Sequence, residues 1–230
     1  MAVSVLLIAY NGEKYIARQI ESIVCQLRRD DELIISDDGS VDQTISIIKN
    51  LQQKYQNIKL VYGPHRGIAA NLTNAYMQAK GDIVCFSDQD DIWNPVKLST
   101  ISVAFSNNPT IDVILHDAQI CDQHERMLPY TLFTSRKSSH GIFSNLLRST
   151  YYGCCMCFRR SFLQQYMPLP DNLISYDQYF GLKAEWNKKS LFIDSPLLVH
   201  RYHGQNQSHR LSGIERIFFR MKLIWQTITN

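Results

Sequence analysis

No stretch of this chain approaches the roughly 18 consecutive apolar residues needed to cross a bilayer. The amino terminus, Ala2 to Ala9, is apolar but lacks the basic leader and cleavage region of a signal peptide. Charge of one sign is scarce: 24 Lys and Arg against 21 Asp and Glu leave a formal +3. With no Lys/Arg-rich run either, a general polyanion binder is excluded and no nucleic-acid partner is expected. The G-x-G-x-x-G of a nicotinamide dehydrogenase does not follow the first apolar run. Six cysteines, at 25, 85, 121, 154, 155 and 157, lie mostly in apolar stretches where a thiol acts as a small hydrophobe, which points to a reducing compartment. Cys154 and Cys157 spell C-x-x-C, but their surroundings read as a buried strand and no second pair completes a zinc site. Internal repeats and low-complexity linkers are also missing.

What is present is an ordinary globular composition, 45% apolar and 20% charged, in 230 residues, enough for one full core. The first half alternates apolar runs with segments of helical period, the pattern of strand–helix–strand units building a parallel sheet. Strands are predicted at Ala2 to Ala9, Glu32 to Ser36, Ile58 to Tyr62 and Asp82 to Ser87. The helix after the first strand presents Ile16, Ile20, Ile23, Val24 and Leu27 on one face. Ser40 and Gln43 form a capping-box pattern for the next, whose inner face is Ile45, Ile48, Leu51 and Tyr55. A third helix begins near Gly67. Right-handed crossovers bring the loops after these strands to one edge of the sheet, where open α/β folds bind ligands.

The second half is less regular. A helix runs from Pro95 to about Asn107, a strand from Asp112 to His116, and the polar stretch Asp122 to His140 reads as a long loop. Gly153 to Arg159 reads as a strand. Tyr176 to Asn187 reads as a helix with Tyr179, Phe180, Lys183 and Trp186 at helical spacing. One domain over residues 1–210 is expected, followed by an amphipathic helix over 211–230. That helix carries the stripe Ile214, Ile217, Phe218, Met221, Ile224, Trp225 and Ile228, with Arg216, Arg220 and Lys222 off it. Such a helix either lies on an anionic membrane surface through residues 214–228 or packs against the domain or a second subunit. The chain stops within this helix, which leaves open that the sequence is shortened.

Three strand ends carry polar chemistry. The first is Ala9-Tyr-Asn-Gly-Glu13, an aromatic platform with polar groups at a turn. The second places Asp37 and Asp38 before a turn. At the fourth, an apolar run ends in Asp88, Asp90 and Asp91. Carboxylates so crowded repel one another, and a hard divalent cation, Mg²⁺ or Mn²⁺, with a phosphate-bearing partner relieves the repulsion. Aromatic, carboxylate and metal together describe a nucleoside-diphosphate site. Each also has a plainer reading: Tyr10 as packing, Asp38-Gly39 as a turn, and the acids as caps of the next helix.

The runs Ser4-Val-Leu-Leu-Ile-Ala-Tyr-Asn11, Ile34-Ile-Ser-Asp-Asp-Gly-Ser-Val-Asp-Gln-Thr44 and Ser87-Asp-Gln-Asp-Asp-Ile-Trp93 resemble glycosyltransferase family two, inverting enzymes of the GT-A fold. The similarity continues through Gly153-Cys-Cys-Met-Cys-Phe-Arg-Arg160, Tyr176-Asp-Gln-Tyr179 and Arg201-Tyr-His-Gly-Gln-Asn206. These look most like the rhamnosyltransferase-like branch of bacterial surface-polysaccharide synthesis, which includes O-antigen and capsule. The resemblance implies an α/β, Rossmann-like single domain with a mostly parallel central sheet flanked by helices. It implies a nucleotide-sugar donor, a glycan or lipid-linked oligosaccharide acceptor, and a cytoplasmic location at the inner membrane face.

The resemblance also implies roles. The donor nucleotide would meet Ala9, Tyr10, Glu13, Asp38, Asp88, Gln89 and Arg201, with Tyr10 stacking on the base, Asp38 accepting from its imide and Asp88 at the ribose. Asp90 would ligate the metal. Gln89, the middle of the D-x-D triplet, adds no charge, so Asp91 either helps or caps the helix at Pro95. Asp177 matches the inverting base, though the family's usual Glu-Asp pair is here Tyr176-Asp177; the plain alternative is a helix-dipole acid. Arg201 and His203 would reach the departing diphosphate, with His203 joining the metal shell or merely packing. Phosphatase and nucleotidyltransferase readings fit less well, because their motifs belong on the first strand. The rival from another class is a non-catalytic nucleotide-sugar-binding protein of the same fold.

Overall fold

The computed structural model describes residues 1–136, 141–147, 149–203 and 213–229. The first half is β1 (Val3–Ala9), α1 (Ile16–Val24), β2 (Glu32–Asp37), α2 (Thr44–Lys54), β3 (Ile58–Tyr62), α3 (Ile68–Tyr76) and β4 (Ile83–Ser87). β1 pairs parallel to both β2 and β4, and β2 to β3. The chain steps from β1 outward to β3, then returns to place β4 on the other side of β1. The strand order therefore reverses between β1 and β4, which opens a crevice at their carboxyl ends.

The second half adds β5 (Ile92–Trp93), α4 (Lys97–Asn107), β6 (Val113–Cys121), β7 (Met127–Thr131), α5 (Leu132–Arg136), α6 (Ile142–Leu147), β8 (Met156–Arg159), α7 (Arg160–Leu163), α8 (Tyr176–Trp186), β9 (Ser190–Arg201) and α9 (Gly213–Thr229). β8 lies antiparallel between β4 and β6, β9 runs parallel to β6, and β5 and β7 add antiparallel edges. The result is one α/β domain whose helix-flanked sheet is parallel through its nucleotide-type half.

Two apolar layers sandwich the sheet because alternate strand residues face opposite ways. On one side Val5, Leu7, Ile83 and Cys85 pack on α1, α2 and α4 through Ile16, Ile20, Ile48 and Ile101. On the other, Leu6, Val84, Phe86 and Phe158 pack on α3, α7, α8 and α9 through Leu72, Phe162, Phe180 and Leu223. Each such side chain, once buried, contributes about 1.5–3 kcal/mol.

Several expectations change. The stretch Asp122 to His140 is not one long loop: it holds β7 and α5, and residues 137–140 lie outside the described part. Its alternation is invisible in the sequence because β7 is a half-exposed edge strand. The strand predicted to end at His116 runs on to Cys121, because buried Asp117 is satisfied by the backbone N–H groups of Ala118 (2.7 Å) and Phe133 (2.9 Å). Gly153–Cys155 is a 3-10 turn rather than strand. Ser40 does not cap α2: its hydroxyl donates to Asp37, and Asp42 instead accepts the Thr44 N–H at 2.9 Å. Trp186 is 68% exposed although it shares α8's helical spacing with buried Tyr179 and Phe180. The domain boundary near residue 210 falls outside the described residues.

Candidate active site at the strand ends

The crevice between β1 and β4 is closed at its floor by Gln89. Its amide accepts the Tyr10 N–H at 2.9 Å and donates to the Tyr10 carbonyl at 2.9 Å, leaving the tyrosine ring 54% exposed at the rim. A Cβ at Gly12 would meet Gln89 Oε1 at 2.2 Å, so a larger residue there would displace the Gln89 amide that holds Tyr10. The first and second loops form one body. Ala9 ends β1 opposite Asp37, and its carbonyl accepts the Asp38 N–H at 2.8 Å. Asn11, at φ 48°, gives its N–H to Ser40 Oγ and takes that of Val41 on Oδ1. Glu13 accepts the Gln43 N–H at 2.9 Å while Asp42 accepts that of Glu13 at 3.1 Å.

Asp37 is buried and spent on its own turn, accepting from Gly39 and Ser40. Asp38, half-buried, accepts the N–H of His65 on one oxygen (2.8 Å) and of Gly67 on the other (2.9 Å), which fixes the loop after β3. Each oxygen keeps a second lone pair.

The acids after β4 divide by depth. Burial and the charges of Asp91 and Asp90 push the Asp88 carboxyl up to about 8. Asp91, 1% exposed, pairs through Oδ1 with His200 Nδ1 at 2.8 Å, with the Cys154 thiol beside it. Burial opposes both charges in this pair, yet their attraction prevails, holding Asp91 low and lifting His200 to about 9. Asp90 stands on the open side, with Oδ2 2.8 Å from His203 Nε2.

Among the described residues, one cluster of three side chains could hold a metal ion. Asp91, Cys154 and His200 place ligand atoms within 4.8 Å of one another. The Cys154 thiol, however, is pushed far up by its bond to Cys155 and by burial, and Asp91 and His200 already satisfy each other. Asp90 and His203, 2.8 Å apart, offer a hard oxygen and an imidazole on the open side of the crevice.

Three residues that the sequence did not single out shape this edge. Tyr15 carries the His203 ring in a stack at 5.0 Å and the Arg201 guanidinium at 4.7 Å. Glu125, in the turn before β7, binds Arg201 at 2.9 Å and also pairs with Arg18. His200 anchors Asp91. Glu125 had no signal, lying in a stretch that read as loop; His200 could have been noticed as a histidine within an apolar strand. Arg201, expected at the diphosphate, is 3% exposed, and its Nε reaches the Asp90 carbonyl at 3.2 Å.

Asp177 opens α8 on the far side of the crevice. Burial raises its pKa, opposed by the Ser175 hydroxyl and by the Gln178 N–H at 2.7 Å. Its charge is felt at Asp88, so base candidate and acid cluster share one space. Of the motif Arg201 to Asn206, residues 204–206 lie outside the described part.

Known proteins resemble this chain in sequence and in fold. An uncharacterized glycosyltransferase of Nostoc sp. is 29% identical over 220 residues, covering 90% of this chain and 66% of the relative. The dTDP-rhamnosyl transferase RfbG of Shigella flexneri is 26% identical over 216 residues, covering 86% of this chain and 72% of RfbG. The crystal structure of S. aureus TarS 1-349 in complex with UDP-GlcNAc superposes with a TM-score of 0.76 at 24% identity, covering 100% of this chain and 67% of that one. The chain thus spans about two thirds of the length of these relatives. The model of the glycosyl transferase family 2 matches residues 4–167, most of the chain. The chain belongs to glycosyl transferase family 2.

Proposed function

We propose that this domain transfers a sugar, rhamnose or a hexose, with inversion from a nucleoside diphosphate to a hydroxyl of a growing, lipid-linked bacterial surface glycan. The observation that carries this reading is the convergence of Asp88, the Asp90–His203 pair and Asp177 on one edge of the sheet. The relatives support it: RfbG is named a dTDP-rhamnosyl transferase, and TarS was crystallised with UDP-GlcNAc. The likeness of this chain's late motifs to the rhamnosyltransferase-like branch favours a dTDP sugar.

Tyr10 offers its exposed ring to the base, beside Asp38 as acceptor for the base's imide N–H and Asp88 for the ribose. Ala9, Glu13 and Gln89 shape the floor, Gln89 by holding Tyr10 from both sides. Asp90 and His203 would hold Mn²⁺ or Mg²⁺, which supplies charge neutralisation for the leaving diphosphate. Arg201 holds the Asp90 backbone and Tyr15, adding positive potential from behind rather than direct contact. Asp177 takes the proton of the acceptor hydroxyl as that oxygen attacks the anomeric carbon and the diphosphate leaves from the opposite face.

A thermal-shift screen tests the reading. UDP, dTDP and GDP and their sugars are added with and without Mn²⁺. One nucleotide should raise the melting temperature by roughly 5–10 °C at a hundredfold excess over Kd, and only with metal. A flat response to every nucleotide would sink the reading.

The domain is proposed to act from the cytoplasmic face of the membrane, docked through α9. No described helix is long and apolar enough to cross a bilayer. α9 packs on the domain through Phe219, Leu223 and Gln226, whose amide joins the Asn172 carbonyl (2.8 Å) and the Ile174 N–H (3.2 Å). The predicted stripe points the other way: Ile217, Phe218, Met221, Ile224, Trp225 and Ile228 are all exposed. The side chain of Ile214 lies outside the described part. An apolar face flanked by Arg220 and Lys222 suits anionic lipid. Since Phe218 and Trp225 are 67% and 60% exposed, Phe218→Asp with Trp225→Asp should leave the fold intact and weaken sedimentation with phosphatidylglycerol vesicles at least about tenfold. Equal sedimentation of both proteins would refute this docking.

A further inference from the structure

Tyr176 opens α8 immediately before Asp177, and nothing above uses its side chain. Its ring packs edge-on against Phe86, with centroids 6.0 Å apart and 63° between planes. Phe86 lies two residues before Asp88, itself just beyond the end of β4, and Asp88 is the first of the charges that bear on the Tyr176 phenol. The hydroxyl end overhangs Gly153, where a Cβ would stand 2.0 Å from Tyr176 Oη and 2.6 Å from its Cζ. Glycine at 153 is therefore the room in which the phenol sits. Among the described residues, no side chain or backbone group hydrogen-bonds to Tyr176 Oη.

The chemistry of this position is specific. Burial and the charges of Asp88 and Asp177 push the phenol well above its usual pKa, so it keeps its proton and remains a neutral donor. A carboxylate in its place would add a negative charge to a crowd of Asp88, Asp90, Asp91 and Asp177 and would only accept. A phenol donates.

We infer that Tyr176 is a specificity-determining residue whose hydroxyl donates a hydrogen bond to an oxygen of the transferred sugar, held between Asp88 and Asp177. The inference rests on the sugar-transfer reading above: with the ribose at Asp88, the diphosphate at Asp90 and the base at Asp177, the sugar ring lies on the Asp177 side, next to Tyr176.

The test is calorimetric titration, in Mn²⁺, of UDP against UDP-GlcNAc and of dTDP against dTDP-rhamnose, on wild type and Tyr176→Phe. The variant keeps the ring on Phe86 and so the fold. Binding of the parent diphosphate should stay within about twofold of wild type. Binding of the accepted nucleotide sugar should weaken about tenfold, equivalent to about 1.4 kcal/mol, within the range of one hydrogen bond. If the variant holds diphosphate and nucleotide sugar as wild type does, the assignment of Tyr176 falls while the sugar-transfer reading stands. If wild type binds none of the four ligands, nor GDP and its sugars, the sugar-transfer reading falls and takes the assignment with it.

Discussion

Asp177→Asn is expected to lower turnover by roughly 10²–10⁴-fold, the usual contribution of a positioned general base, while donor binding survives. Asparagine keeps an oxygen that can accept from Ser175 and the Gln178 N–H, so the start of α8 is preserved. The carboxylate's folded pKa lies above its ordinary value, chiefly through burial. The stability it lends is therefore full below the unfolded pKa and is lost as pH rises through the folded one. Removing that charge does not destabilise the protein at neutral pH, so lost turnover cannot be lost folding. The same raised pKa places the acid limb of the kcat/KM profile above the ordinary carboxylate range, and that limb should vanish from the residual activity of the variant. Unchanged turnover in Asp177→Asn would remove this residue from the reaction and leave it a helix-dipole acid.

Asp90→Ala is expected to abolish the metal-dependent nucleotide shift, roughly 5–10 °C at a hundredfold excess. Asp90 is the open-side carboxylate paired with His203, whereas Asp91 is already closed against His200. Without a cation, ionising Asp88 is opposed by burial and by both neighbouring acids. A bound cation removes that opposition and lets Asp88 and Asp90 be charged together. Asp91→Asn should behave differently: it leaves the charge of His200 uncompensated in the interior, and the cost appears as lowered stability rather than as lost metal response. A metal response in Asp90→Ala equal to that of wild type would move the cation to another donor set, with Asp91, Cys154 and His200 next in line.

The four parallel strands and their crossovers were legible because apolar runs and helical periods are local: Ile83 to Ser87 reads as a buried strand from its residues alone. The acidic triplet at its end was legible for the same reason, since the end of a strand places whatever follows it at the sheet's edge. The long polar stretch was not, because β7 is a half-exposed edge whose residues carry no alternation. The direction of α9 was half legible. Its apolar stripe is a property of the chain, but which face meets the domain depends on Gln226 finding Asn172 and Ile174, 54 and 52 positions away.

By itself, then, the order of residues determined the family-type sheet, the three polar strand ends and the acid at the head of α8. Only the tertiary structure decided what each carboxylate touches. Asp90 and Asp91 are adjacent and chemically identical, yet one faces His203 across the crevice and the other is sealed against His200. Both histidines come from the end of β9 and just beyond it, more than a hundred positions later in the chain. Ionisation and metal affinity depend on distance and solvent exclusion, and these arise only when distant segments pack together.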